Sequence, residues 1–200
     1  MNYRRLISIL VVFFFCTQLP AQKLSKVERK LVKTIEANNN EAIDFLEFVV
    51  NINSGTLNAK GVKEVGMVFK DAFENIDFET SWIEMPEEMN RAGHLFAQTE
   101  GKKGKTLLLI GHLDTVFEEN SPFQEFERVN DSIAHAPGGN DMKGGDVIVL
   151  YALKDLHANG LLNDAQIIVA FTGDEESTGK PLDISRKDLI EAAKRSDIAL

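Results

Sequence analysis

The stretch TLLLIGHLDTV, residues 106–116, places a histidine and an aspartate directly after an unbroken apolar run. The run is short and bounded by Lys105 and Gly111, which predicts a buried strand. Residues two apart on a strand point to the same side, so we expect His112 and Asp114 to be neighbours at its carboxyl end. Ligands bind at that end in open α/β sheets. Taken alone, a His-x-Asp pair more commonly means a buried histidine bonded to a surface aspartate; further motifs change this interpretation.

The composition is that of an ordinary globular protein. The chain has 200 residues, of which 44% are hydrophobic and 26% are charged, and its net charge is -9. This length gives room for one good core and a small second lobe. An acidic chain without a basic run gives no support for nucleic-acid binding.

The first 21 residues differ from the rest and predict a secretory signal peptide. Arg4 and Arg5 precede a predominantly apolar run from Leu6 to Phe15, and a polar segment follows that ends in Ala21. The alternative is a permanent membrane anchor, which the short apolar run disfavours. We therefore expect a periplasmic or secreted protein, cleaved after Ala21 and not stably inserted in a membrane. Cleavage would change the net charge from -9 to -11, since both arginines leave and no acidic residue does.

The remaining chain, residues 22–200, alternates helical and strand patterns. This alternation predicts a layered α/β sheet with helices on both faces. The predicted helices cover 26–50 (two helices, separated at Asn38–Asn40), 60–73, 143–157 and 185–194, and the predicted strands cover 78–85, 94–98, 105–110, 128–134, 165–171 and 197–200. Because the chain ends inside a predicted strand, we expect it to be truncated.

Two further loops carry carboxylates next to glycines. In APGGNDMKGG, residues 136–145, Asp141 precedes a predicted helix, where an anion is favoured. The plainer alternative for Asp141 is a helix cap in a glycine-rich turn. In TGDEESTG, residues 172–179, three consecutive acids follow a buried strand, and their mutual repulsion is relieved by a cation or a proton. Since neighbouring side chains on extended backbone point in opposite directions, we expect Glu175 and Glu176 to have different tasks.

The resulting ligand set contains one imidazole and several carboxylates. Signal cleavage would remove Cys16, the only cysteine, so any metal ligands must be His, Asp or Glu. Such a set suits zinc, and cobalt or manganese would also fit. A carboxylate such as that of Asp141 can bridge two metals in a hydrolytic centre. The candidate metal ligands are His112, Asp141, Glu176 and Asp197.

In this order, the motifs GHLDTV, GGNDMKGG and TGDEESTG resemble those of the co-catalytic zinc exopeptidases and amidohydrolases. That family includes glutamate carboxypeptidase, aminoacylase, acetylornithine deacetylase and succinyl-diaminopimelate desuccinylase, and the resemblance covers about residues 40–200. It implies a zinc-exopeptidase-like catalytic domain with two zinc ions. It also implies a role for each candidate residue. His112 and Asp197 would bind the first zinc, and Asp114 would orient His112. Asp141 would bridge both zinc ions, Glu176 would bind the second, and Glu175 would be the general base.

The sequence departs from the family pattern in two respects. Ala136 stands where the second motif usually has a glycine. The family's last histidine ligand and its lid and dimerisation domain have no counterpart in these 200 residues. The resemblance implies a homodimer for the full-length form. His135 lies near the second motif, and spacing alone does not exclude it as a ligand.

The resemblance implies a metallo-exopeptidase, carboxypeptidase-like, acting on small peptides or N-acylated amino acids. An aminoacylase or deacetylase of the same family is the nearest alternative. A non-catalytic protein that binds metal or amino acids is the alternative from another class.

Overall fold

The structure, a computed structural model, describes residues 23–200, so the predicted signal peptide lies outside the described residues. The chain divides into two compact units, residues 1–33 and 34–200. In the first unit, Ser25 and Glu28 form a reciprocal cap. The Glu28 N–H donates to Ser25 Oγ at 3.2 Å and the Ser25 N–H donates to Glu28 Oε2 at 2.6 Å. None of the helices within 23–200 is long and apolar enough to cross a membrane.

Five α-helices and seven strands occur among the described residues, together with a 3-10 helix (Glu87–Met89) and a π-helical turn (Gly139–Lys143). The helices are α1 (Lys26–Val50), α2 (Ala59–Glu74), α3 (Gly144–Ala158), α4 (Leu182–Ser185) and α5 (Lys187–Lys194). The strands are β1 (Glu79–Glu84), β2 (Gly93–Gln98), β3 (Lys103–His112), β4 (Glu127–Asn130), β5 (Ile133–His135), β6 (Ala165–Thr172) and β7 (Ile198–Ala199).

The main sheet has five strands in the order β1-β2-β6-β3-β7. The β6, β3 and β7 strands run parallel, whereas β2 runs antiparallel to both β1 and β6. The chain leaves β3, crosses to β6 on one side and returns to β7 on the other. This order makes β3 an inner strand, paired on both edges, and brings its carboxyl end beside that of β6.

Side chains alternate along the strands between two hydrophobic cores, one on each face of the sheet. On β6, Ile167, Val169 and Phe171 face the larger core, whereas Ile168 and Ala170 face the smaller one. The larger core lies beneath α2 and α3, and the smaller one lies beneath α5. This alternation is the reason that the strands read as continuous apolar runs. The predicted α/β sheet with helices on both faces is confirmed.

Two predicted local features were wrong. Asn38–Asn40 do not interrupt the first helix, because α1 continues from Lys26 to Val50. Asn38 Nδ2 donates to Asp155 Oδ1 on α3 at 2.5 Å, and this tertiary contact outweighs the poor helix propensity of asparagine. The predicted strand 128–134 is the exposed antiparallel hairpin β4–β5.

Candidate metal centre

The three polar motifs lie together at the end of the sheet where the parallel strands β3 and β6 have their carboxyl ends. His112 ends β3 and pairs in register with Thr172, which ends β6. The Leu113 N–H donates to Thr172 O at 2.7 Å, so the two loops that follow these strands begin side by side. Adjacent parallel strands thereby bring the first and third motifs together.

His112, Asp141 and Glu176 form one cluster. Each offers a ligand atom, and these atoms all lie within 4.8 Å of one another. His112 Nε2 lies 3.1 Å from Asp141 Oδ1, and Glu175 Oε2 lies 4.0 Å from the same nitrogen. His112 is buried, whereas the Asp141 and Glu175 side chains are exposed to a cavity of about 560 Å³. The structure therefore brings together four of the predicted site residues.

Asp114 orients His112 mainly through its main chain. His112 Nδ1 lies 2.9 Å from the Asp114 carbonyl oxygen and 3.5 Å from the carboxylate. With Nδ1–H donating to that carbonyl, Nε2 faces Asp141. Burial alone would lower the pKa of His112, but the carboxylates of Asp114 and Asp141 and the Asp114 carbonyl raise it to about 9. In the protonated form, a proton lies where a metal would be held.

The carboxylate of Asp114 joins three segments of the chain. It accepts hydrogen bonds from Thr56 Oγ1 at 2.6 Å and from the N–H groups of Glu175 and Glu176 at 3.0 and 3.1 Å. Burial acts to raise the pKa of Asp114, but these donors and His112 hold it below its usual range. Asp114 thus fixes the main chain from which both glutamates project.

The Asp141 loop is a tight turn at Gly139–Lys143 that leads into α3. Gly138 has φ +69°, and a Cβ there would lie 2.3 Å from Thr115 Cγ2, so the turn requires glycine. The buried Lys143 donates from Nζ to Val49 O at 2.7 Å and to Ile52 O at 2.9 Å. Val49 lies in the last turn of α1, where carbonyl groups lack helical partners. Lys143 therefore anchors the Asp141 loop to the end of α1.

The neighbouring carboxylates affect the pKa of Glu176. Burial, followed by the charges of Asp141, Asp114 and Glu175, raises the pKa of Glu176 against the opposing charge of His112. A carboxylate whose charged form is disfavoured by other carboxylates is stabilised by a cation among them. The donor set, one imidazole and two carboxylates, is one that zinc accepts.

Asp197 does not join this cluster, and its prediction as a ligand is corrected here. Its N–H donates to Thr106 O at 2.9 Å, and its carboxylate accepts from the Thr106 N–H at 2.8 Å. Thr106 and His112 are six positions apart on β3, which is about 20 Å along a strand. Asp197 begins a strand parallel to β3 and therefore lies at the opposite edge of the sheet. His135, on the exposed β5, also lies outside the cluster, with Nδ1 3.7 Å from Glu127 Oε2.

Sequence reasoning missed a second buried carboxylate near the site. Asp146, in the first turn of α3, is fully buried, and neither of its oxygens has a hydrogen-bond partner among the described residues. Its Oδ1 lies only 2.0 Å from the position that a Cβ on Gly111 would take, so Gly111 leaves the space that Asp146 fills. Burial raises the pKa of Asp146 well above its ordinary value. The acid directly before the apolar run Val147–Leu153 is the signal that could have found it.

Comparisons with known proteins agree with this fold and with the family that the three motifs resemble. The sequence model of peptidase family M20/M25/M40 matches residues 108–199, a span that contains all three motifs. Carboxypeptidase G2 of Pseudomonas sp. (strain RS-16) is 30% identical over 199 residues, which is 96% of this chain and 45% of that protein. The chain thus spans about half the length of the curated relative it matches.

Solved structures support the fold. Human carnosine dipeptidase 1 matches with a TM-score of 0.71 at 18% identity, over 86% of this chain and 40% of that one. An M20 family metallo-carboxypeptidase from Sulfolobus solfataricus matches with a TM-score of 0.62 at 20% identity, over 80% of this chain and 36% of that one. These structures share the α/β fold of this chain, and its clustered donors form a candidate metal site within that fold. Over the residues matched, the chain is similar to peptidase family M20/M25/M40, which supports the family predicted from the three motifs.

Proposed function

We propose that this chain supplies the metal-binding part of a hydrolase that cleaves an amide bond in small peptides or N-acylated amino acids. The observation that carries the proposal is the cluster of His112, Asp141 and Glu176, with Glu175 beside it in the same cavity. The match to a peptidase family model and the 30% identity to a protein named as a carboxypeptidase support a carboxypeptidase-like activity.

Zinc is the metal that we propose for this cluster. His112 would supply Nε2, while Asp141 and Glu176 would supply carboxylate oxygens. The hydrogen bond from Nδ1 to Asp114 O is the kind of support that fixes the ring of a ligating histidine. Cobalt or manganese would fit the same donors. We further propose two ions, with Asp141 shared between them; within 23–200 the cluster offers three donor residues, so a second ion needs additional ligands.

The residues around the cluster have separable tasks in hydrolysis. When bound, zinc supplies a Lewis acid that polarises the amide carbonyl and lowers the pKa of a water molecule. Glu175 accepts the proton of the attacking water and then gives it to the leaving amine nitrogen. Its side chain is 58% exposed and lines the cavity, so a substrate can reach it. Asp114 accepts hydrogen bonds from the N–H groups of both glutamates. It thereby holds Glu175, the proton acceptor, apart from Glu176, the proposed metal ligand.

Zinc binding and hydrolysis by the purified chain test the proposal. We expect zinc to be retained after dialysis, as measured by elemental mass spectrometry, and dipeptides or N-acylated amino acids to be hydrolysed. Glu175→Gln removes the proton acceptor but no proposed ligand, so it should abolish hydrolysis and retain zinc. Glu125→Gln is the matched control, because Glu125 is an exposed glutamate in a loop outside the cluster.

The results separate the alternatives. Zinc binding without hydrolysis of any of these substrates would favour the non-catalytic binding protein, and absence of zinc binding would contradict both. A preference for N-acylated amino acids over dipeptides would favour an aminoacylase or deacetylase. Export to the periplasm or the medium and formation of a homodimer stay predictions; cell fractionation and light scattering test them.

A further inference from the structure

The loop Gly173–Gly179 determines where Glu175 and Glu176 lie, and its first acid has a different environment from the other two. Asp174 is fully buried, whereas Glu175 is exposed to the cavity. The three acids look equivalent in sequence, but only Asp174 points into the protein. The partners of Asp174 therefore decide the path of the loop.

Asp174 closes the loop on itself. Its Oδ2 accepts the Gly179 N–H at 2.8 Å, which joins the two ends of the loop, and also accepts Ser185 Oγ at 2.8 Å. Its Oδ1 forms an ion pair with Arg186 Nη1. A buried carboxylate is tolerated when a cation and several donors surround it in this way.

Arg186 contacts the loop at both ends. Besides the carboxylate, Nη2 donates to the Asp174 carbonyl oxygen at 3.1 Å and to Thr178 Oγ1 at 2.9 Å. Nη1 also donates to Ser185 Oγ at 2.8 Å. The planar guanidinium thus bonds the main chain on one side of Glu175 and Glu176 and a side chain on the other. The single ammonium of lysine lacks this geometry.

His94 connects the same loop to the sheet. This fully buried histidine on β2 accepts the Gly173 N–H at Nδ1, 3.1 Å away, and lies 2.9 Å from Ser185 O through Nε2. The start of the loop and the residue before Arg186 are therefore held by one side chain. Together with Asp114, which binds the Glu175 and Glu176 N–H groups, these contacts fix the loop from two sides.

We propose that Arg186 is a positioning residue of the metal centre, which acts through Asp174 to hold Glu175 and Glu176 against His112 and Asp141. The proposal rests on the function proposed above. Without the guanidinium, the buried charge of Asp174 loses its cation, and the loop relaxes toward solvent to hydrate it. The Glu176 carboxylate then leaves the 4.8 Å cluster while the sheet beneath remains folded.

Amide hydrogen exchange of the metal-free chain, followed by mass spectrometry, tests this directly. We expect Arg186→Gln to accelerate exchange of residues 173–179 by about tenfold or more, with peptides from α2 and β3 unchanged. Zinc affinity should fall by about tenfold. Arg186→Lys should fall between wild type and Arg186→Gln, since it keeps the charge but not the fork. Arg195→Gln is the control, because the side chain of that exposed arginine makes one hydrogen bond within residues 23–200, a 3.4 Å contact with Gln98 Oε1 outside the loop.

Two results would overturn the proposal. Exchange that accelerates equally in every peptide would make Arg186 a general stabiliser, and unchanged exchange of residues 173–179 in Arg186→Gln would show that the loop is held without it. If Arg186→Gln does not fold, Thr178→Val serves instead, because it removes one hydrogen bond from Arg186 without leaving a buried charge unpaired. It should accelerate exchange of residues 173–179 by a few-fold, and no change would contradict the proposal. If wild type binds no zinc, the proposed function fails, while the exchange rates still decide the role of Arg186.

Discussion

Two fully buried carboxylates lie near the end of β3 and differ in their surroundings. Asp114 accepts three hydrogen bonds and contacts His112, and its pKa is lowered despite burial. Asp146 has no hydrogen-bond partner in the described part of the chain, and burial raises its pKa. Neither side chain is exposed to solvent, but only the Asp114 carboxylate is surrounded by donors, and these favour its charge. The difference indicates that the Asp114 carboxylate stabilises the folded chain and that the charge of Asp146 destabilises it.

The largest change in the free energy of unfolding should come from removing the Asp114 carboxylate. Asp114→Ala leaves the Thr56 hydroxyl and the Glu175 and Glu176 N–H groups without their acceptor, so the free energy of unfolding should fall by about 4 kcal/mol. Urea denaturation monitored by circular dichroism measures this. A loss below about 1 kcal/mol would show that the carboxylate does not hold these segments.

Replacing Asp146 should increase the free energy of unfolding. Asp146→Asn keeps the shape and removes the ionisable group, and we expect the free energy of unfolding to rise by about 2 kcal/mol at pH 7. Because the folded-state pKa of Asp146 is raised, its contribution to stability is fully present below the unfolded pKa of about 3.8 and is lost as the pH rises.

The advantage of Asp146→Asn over wild type should therefore grow with pH above about 4, by at most about 1.4 kcal/mol per unit. Urea denaturation at a series of pH values measures the two curves. Parallel curves would contradict the assignment of the cost to the charge of Asp146.

His112 links the comparison to metal binding. With its pKa raised to about 9, His112 must lose a proton before Nε2 can bind zinc. Zinc affinity should therefore increase by about tenfold per pH unit between pH 7 and pH 8, measured by competition with a chromophoric chelator. Affinity independent of pH in this range would show that the histidine is already neutral.

The smallest effect should come from removing one donor of Asp114. Thr56→Val keeps the shape of the side chain but loses the 2.6 Å hydrogen bond, which should lower the free energy of unfolding by about 1 kcal/mol. Thr56→Ser retains the hydroxyl and should recover most of the loss. Equal values for the two variants would assign the effect to packing.

The sequence was most informative where a motif lies directly after a strand. His112, Asp141 and Glu176 were predicted because each stands at the carboxyl end of a strand, in the loop that follows a strand, or at a helix start. Asp197 precedes its strand, and the rule that ligands gather at carboxyl ends argued against it from the start. Partners distant in sequence gave no local signal, which is why Arg186 and the contact from Asn38 to α3 required the structure.

The hairpin β4–β5 occupies much of the sequence between the first and second motifs, yet all its residues are exposed and none belongs to either core. The number of residues between His112 and Asp141 is therefore set by a surface excursion rather than by chemistry. A fluorophore or an epitope inserted at Ser132 should accordingly leave the cluster undisturbed, which makes the hairpin a convenient site for attaching reporters.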